Sequence, residues 1–161
     1  MLEVVFMNDL KEAAASKVLR IILYIIFVLG VAATVSMPFM IDTYMRVLRD
    51  AHELREGYRT FITIFLMIIG ILGLFIVFEL IIMMRTILKD PFVKRNVKSL
   101  NIIGIAGFIA AACFFVKCLF YLTFMTLLFG IFLVILGLFA LTLAHLFNKA
   151  VEYKEENDLT I

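Results

Sequence analysis

Four long runs of apolar residues dominate the chain, and the polar residues are concentrated between them. The runs cover 21–41, 61–84, 102–121 and 124–147. An apolar helix crosses the ~30 Å hydrocarbon core of a bilayer in roughly 20 residues, and these runs lack the alternation of barrel strands. The pattern therefore predicts an all-α integral membrane protein, a four-helix bundle formed by one domain, 1–161.

Composition supports this prediction. The chain is 65% hydrophobic and 17% charged, whereas soluble domains are about half apolar and a quarter charged. The first run is too long, and its flanks are too charged, for a cleaved signal peptide. We therefore expect it to be a retained span.

The polar segments predict the orientation of the bundle. They form an outer loop at 42–60, a basic loop at 85–101 and an acidic tail at 149–161. With both termini inside, ten lysines and arginines lie on the inner side against four in the outer loop. By the positive-inside rule, both termini, the basic loop and the acidic tail are expected in the cytoplasm.

Three ionisable residues fall within the runs, where charge is costly: Glu79, Lys117 and His145. We expect Lys117 to extend its amine toward the outer headgroups. Arg20 and His145 are the expected partners of Glu79. Three interpretations of Glu79 are open. It is a structural clasp between helices, a glutamic acid kept protonated by burial, or a carboxylate used in proton- or cation-linked transport.

No motif for catalysis, nucleotide binding or metal binding is found in the sequence. Cys113 and Cys118 lack the C-x-x-C spacing of thiol oxidoreductases. We expect a non-enzymatic protein with no catalytic residue, no cofactor and no metal.

The basic loop has the pattern of an amphipathic helix. Asp90 and Pro91 predict its N-cap and first turn, and Phe92 lies on its apolar side. Such a helix suits anionic headgroups or a protein partner. Because the acidic tail lies on the same side of the membrane, the loop and the tail can also neutralise each other.

Two segments resemble a known family. The stretch DPFVKRNVKSLNIIGI and the terminal AVEYKEENDLTI are similar to small bacterial four-span membrane proteins known as domain of unknown function 2975. Members commonly have an acid where Arg95 stands, so the charge of this loop departs from the pattern. The resemblance implies a neighbouring gene for a small helix-turn-helix regulator, and hence a regulatory partner at the bacterial inner membrane.

The resulting hypothesis is that the chain binds and modulates a small cytoplasmic helix-turn-helix transcription regulator through 89–101 and a flexible acidic tail. The alternatives are a small transporter or channel using Glu79, a structural subunit of the envelope, and a tail that is simply solvated. The lipid bilayer is the other expected partner, and direct binding of nucleic acid is not expected. The candidate partner-binding residues are Asp90, Pro91, Phe92, Lys94, Arg95, Asn96, Lys98, Glu155, Glu156, Asn157, Asp158, Leu159 and Ile161.

A stripe of small residues, Gly130, Gly137 and Ala144, runs along the fourth span at intervals of seven. Membrane helices associate by close packing of such residues. The stripe predicts packing within the bundle or a contact between copies in a homo-oligomer.

Overall fold

The computed structural model describes the backbone of 2–49, 57–87 and 90–158, and the side chains of 16–43, 45–46, 57–87 and 90–157. These parts of the chain form four helices and no strand. The helices are α1 (Leu2–Arg49), α2 (Tyr58–Ile87), α3 (Lys94–Phe120) and α4 (Phe124–Asp158).

Each helix contains a segment long and apolar enough to cross a membrane. The segments are Ser16–Thr43, Tyr58–Ile87, Lys94–Phe120 and Phe124–Asn157. At most 28% of the most apolar window of any segment is buried inside the protein, so most apolar side chains are left for lipid. The predicted all-α, multi-pass membrane fold is confirmed.

The helices are longer than the apolar runs that predicted them. α1 continues through Pro38 to Arg49, since membrane helices tolerate proline where neighbouring groups satisfy the backbone. α3 begins at Lys94 instead of 102. α4 continues past 147 to Asp158.

The acidic tail is therefore helical as far as Asp158, and the expectation of a flexible tail is wrong for 152–158. Lysine and glutamate are good helix formers. The side chain of Asn148 also donates a hydrogen bond to Glu152 one turn later, at 2.7 Å. Leu159 and Ile161 lie outside the described residues.

Within the described residues the helices pack in chain order: α1 on α2, α2 on α3, and α3 on α4. The backbones of α3 and α4 approach each other closely, since a Cβ added at Gly137 would lie 3.2 Å from the backbone oxygen of Gly104. Gly130, Gly137 and Ala144 are all buried. The small-residue stripe thus packs against α3 of the same chain, and homo-oligomerisation stays a prediction.

The bundle has two ends, the basic-loop end and the opposite end. The basic-loop end contains the end of α2, residues 90–93, the start of α3 and the end of α4. The opposite end contains the α3–α4 turn at 121–123 and the start of α2. At the opposite end Tyr58 and Tyr121 pack with ring centroids 4.6 Å apart, and Phe61 lies 5.3 Å from Tyr121. Such aromatic clusters are typical of the membrane–water interface.

Candidate functional site

Glu79 is a buried carboxylate in α2, with 5% of its surface exposed. The guanidinium of Arg95 donates to both of its oxygens, at 3.1 and 3.4 Å. The hydroxyl of Ser99 donates to Oε2 at 2.8 Å. Arg95 and Ser99 lie one turn apart on α3, so this Glu79 clasp joins α2 to α3.

The expected partners of Glu79 were wrong. His145 is exposed on α4, and no contact from Arg20 to Glu79 is found among the described side chains. The reason is the early start of α3. Because its first two turns lie beside the end of α2, Arg95 reaches Glu79 from within a helix that the sequence pattern treated as a loop.

A buried carboxylate accepting two hydrogen bonds from a guanidinium is arranged as an ion pair. Every buried side-chain oxygen and nitrogen in the described part of the chain has a hydrogen-bond partner. The geometry is that of a structural clasp, the first of the three interpretations of Glu79.

Asn96 fixes the loop between α2 and α3. Its side chain has no exposed surface; its amide donates to the backbone oxygen of Pro91 at 2.8 Å, and its Oδ1 accepts from the hydroxyl of Thr86. A side chain buried in this way cannot touch a partner protein. The sequence interpretation of Asn96 as a partner-binding residue is therefore wrong, and its role is to hold the loop.

Asp90 was expected to cap α3, but the helix begins later and its N-cap is Val93. Oδ1 of Asp90 instead accepts the backbone N–H of Phe92 at 3.1 Å, an Asx turn. Its other oxygen accepts from the ammonium of Lys154. The pKa of Asp90 is lowered below its ordinary value, chiefly by the hydrogen bond from Lys154. The hydrogen bond from Phe92 N–H lowers it further, while partial desolvation opposes the shift.

The acidic tail lies directly against the basic loop. Besides the pair between Asp90 and Lys154, Lys94 pairs with Glu155 at 2.8 Å. Phe92 packs on Phe147 with ring centroids 5.6 Å apart. The loop and the tail neutralise each other, as one of the alternatives predicted, and we call residues 90–98 and 147–157 together the loop–tail face.

Other predicted residues of the loop–tail face are exposed. Pro91 and Lys98 lie on its loop side, and Glu156 and Asn157 lie on its tail side. The side chain of Asp158 lies outside the described residues. Tyr153, which is 68% exposed on the tail helix, was missed because it was treated as part of an acidic segment.

A contact between α1 and α2 at the same end was also missed. The guanidinium of Arg85 donates to the hydroxyl of Tyr24. Tyr24 lies inside the first apolar run and Arg85 directly follows the second, and nothing in the local pattern indicates their pairing. It fixes α1 to the end of α2 that carries the loop.

Lys117 lies near the opposite end, in α3. Its amine donates to the hydroxyl of Thr126 in α4 at 3.0 Å and lies 5.3 Å from the centroid of the Phe65 ring, a cation–π contact. The amine was expected among the outer headgroups. It contacts these protein groups because the tight turn at 121–123 brings the first turn of α4 beside it, and its position relative to the headgroups stays a prediction.

The described residues contain no group of three His, Cys, Asp or Glu side chains arranged to hold a metal ion. Cys113 and Cys118 are free thiols, each partly buried.

The family described as protein of unknown function, DUF2975, matches residues 41–161. The chain belongs to this family. No curated protein and no solved structure matches the chain. The DUF2975 match contains the Glu79 clasp and the whole loop–tail face, including both segments that carried the resemblance.

We predict that Arg95→Gln destabilises the protein by about 2 kcal/mol, because Glu79 keeps its buried charge and loses its cation. Removing one partner of a fully buried pair costs ~3–5 kcal/mol, and the side chain of Arg95 is 36% exposed. Adding Glu79→Gln to this variant is expected to recover part of the loss. Unfolding in mixed micelles of Arg95→Gln, Glu79→Gln and the double variant gives the double-mutant cycle.

The matched control is Lys98→Gln, an exposed cation on the same helix, which is expected to change stability by less than ~0.5 kcal/mol. Strictly additive effects of the Glu79 and Arg95 substitutions would show that the two side chains do not interact.

The lowered pKa of Asp90 predicts that docking of the tail weakens in acid. Asp90 contributes fully to the stability of docking above pH 3.8, which equals the ordinary pKa of this carboxyl. The contribution is lost as the pH falls through the lower pKa of the docked state. Spin labels at positions 98 and 153 measure the separation of loop and tail. Below pH 3.8 we expect their distance distribution to broaden.

Asp90→Asn is expected to weaken docking above pH 3.8, to match the unmodified chain once Asp90 is protonated, and so to remove this part of the pH dependence. Glu152→Gln, which changes a carboxylate bonded within α4, serves as the control and is expected to behave as the unmodified chain. An unchanged pH profile in Asp90→Asn would contradict the assignment.

Proposed function

We propose that this chain is a non-enzymatic protein of the bacterial inner membrane that binds a small cytoplasmic helix-turn-helix transcription regulator and modulates its activity. The observation that carries the proposal is the loop–tail face. Two segments about 60 residues apart are joined there into one surface by Asp90–Lys154, Lys94–Glu155 and Phe92–Phe147.

The charge distribution supports a cytoplasmic position for this face. Along the sequence, ten lysines and arginines fall in the segment before the first apolar run, the basic loop and the tail, and four fall between the first two runs. By the positive-inside rule the basic-loop end faces the cytoplasm. A regulator of transcription in the same compartment has direct access to it.

The chemistry of the tail suits a basic partner. α4 carries Glu155 and Glu156, and the exposed ring of Tyr153 lies within one turn of both on the same helix. A helix-turn-helix protein has a basic DNA-facing surface, and carboxylates steer such a surface toward them. An exposed tyrosine is a common anchor of protein interfaces. A regulator held by its DNA-facing surface is kept from DNA.

The ion pairs of the face are weak enough to be exchanged. The side chains of Lys94, Glu155 and Lys154 are 74%, 54% and 44% exposed, and exposed pairs contribute about 0–1 kcal/mol each. Cations of a partner can therefore replace Lys94 and Lys154 at little cost. The tail helix remains attached to the membrane through α4 while this exchange takes place.

Transport through Glu79 is not our proposal. A carboxylate that carries protons or cations has to exchange them during each cycle, whereas Glu79 is paired with Arg95 and bonded to Ser99. This pairing favours a structural role, in which Glu79 holds α3 and the loop in position.

The experiment that tests the proposal is retention at the membrane. The chain is co-expressed with the helix-turn-helix regulator that the family resemblance predicts beside its gene, and the regulator is measured in washed membranes. We expect Tyr153→Ala combined with Glu156→Lys to lower retention by roughly tenfold or more, as for the loss of an interface anchor.

Thr123→Lys is the control for added positive charge, since Thr123 is exposed in the turn at the opposite end. It is expected to leave retention unchanged. Equal retention in both variants, or no retention by the unmodified chain, would contradict the assignment of this face.

A further inference from the structure

A cavity of about 490 Å³ lies near the opposite end, between α1, α2 and α3. Its volume is within the range of small-molecule sites, which are mostly apolar with a few polar groups. Among the described residues, its wall is apolar apart from Lys117 of α3 and Thr43 of α1. The apolar residues include Met37, Met40, Ile41, Ile62 and Phe65.

The amine of Lys117 has no acidic partner among the described residues. It contacts a hydroxyl and an aromatic ring, both neutral. Asp42, next to the cavity in the chain, pairs with Arg59 at 2.6 Å. A cation inside a membrane protein is stabilised by an anion, and the described part of this chain does not supply one.

The depth of Lys117 suits a lipid headgroup. The backbone N–H of Tyr121, one turn later, donates to the oxygen of Lys117 at 2.8 Å, and Tyr121 belongs to the aromatic cluster at the interface. The amine therefore lies at the border between headgroups and acyl chains. The apolar part of the cavity extends along the span from there.

We propose that this cavity binds an anionic phospholipid. One acyl chain packs against Met37, Ile62 and Phe65, and the phosphate forms an ion pair with the amine of Lys117. Charge complementarity selects the ligand: Lys117, the one cation among the described residues of the wall, pairs with a net negative headgroup, whereas a zwitterionic headgroup brings a cation of its own. The site is at the other end of the bundle from the loop–tail face and does not depend on the function proposed there.

The first test is native mass spectrometry of the full chain in detergent with equal amounts of phosphatidylglycerol and phosphatidylcholine bearing the same acyl chains. One basic residue near an anionic lipid corresponds to a preference of about fivefold. We expect this preference in the unmodified chain and in Lys117→Arg, and its loss in Lys117→Met. Lys149→Met, which removes an exposed cation from α4, is expected to keep it.

A second test keeps Lys117 intact. The chain has no tryptophan, so Met40→Trp places a single fluorophore on the cavity wall. Brominated phosphatidylglycerol is expected to quench it more strongly than brominated phosphatidylcholine. In Phe132→Trp, on an apolar part of α4, the two lipids are expected to quench equally.

Three results would overturn the proposal: a lipid preference unchanged in Lys117→Met, equal quenching of Met40→Trp by both lipids, or displacement of phosphatidylglycerol by inorganic phosphate. The last result would identify a site for a free anion instead of a lipid.

Discussion

A carboxylate buried in an apolar membrane helix needs a cation at the same depth, because its charge is otherwise too costly to keep. Glu79 meets this requirement with Arg95, supported by Ser99. The requirement determines where α3 has to run: its first turns lie beside α2 and not in the water beyond it. The loop that precedes α3, and the tail that rests on this loop, take their positions from the same contact.

Polar groups close the structure at both ends, and lipid-facing apolar side chains cover the middle. At the basic-loop end Asn96 holds the loop from inside, while Asp90 and Lys94 reach the tail helix. At the opposite end the amine of Lys117 donates a hydrogen bond to Thr126 beside a cavity. This layout leaves the apolar surface for the bilayer and concentrates the polar contacts between helices at the two ends of the bundle.

The existence and number of the helices were predictable, since four runs of the required length are an unambiguous pattern. The ends of the helices were not, because an apolar run stops where polar residues begin and a helix does not. α3 starts before its run for this reason. The helical tail had a detectable signal, the glutamates and lysines of 149–156 and the spacing of Asn148 and Glu152.

The partners of the site could be predicted only in part. Opposite charges in the loop and the tail indicated that these segments can meet, and they do. Which residues pair depends on how α2, α3 and α4 are set along one another, and a single sequence does not contain that register. Arg20 and His145 were therefore as reasonable for Glu79 as Arg95. For the same reason nothing in the sequence separated Asn96, which is buried, from its exposed neighbours.

The Glu79 clasp holds the loop in the position where the tail can dock on it. The most direct measurement uses Lys94→Cys with Glu155→Cys, in a chain whose Cys113 and Cys118 are replaced by serine, and a short bismaleimide added to intact membranes. With Glu79 present we expect efficient cross-linking between the two positions, and with Glu79→Ala we expect a clear decrease. Cross-linking that is absent with Glu79 intact, or equally efficient without it, would contradict the claim.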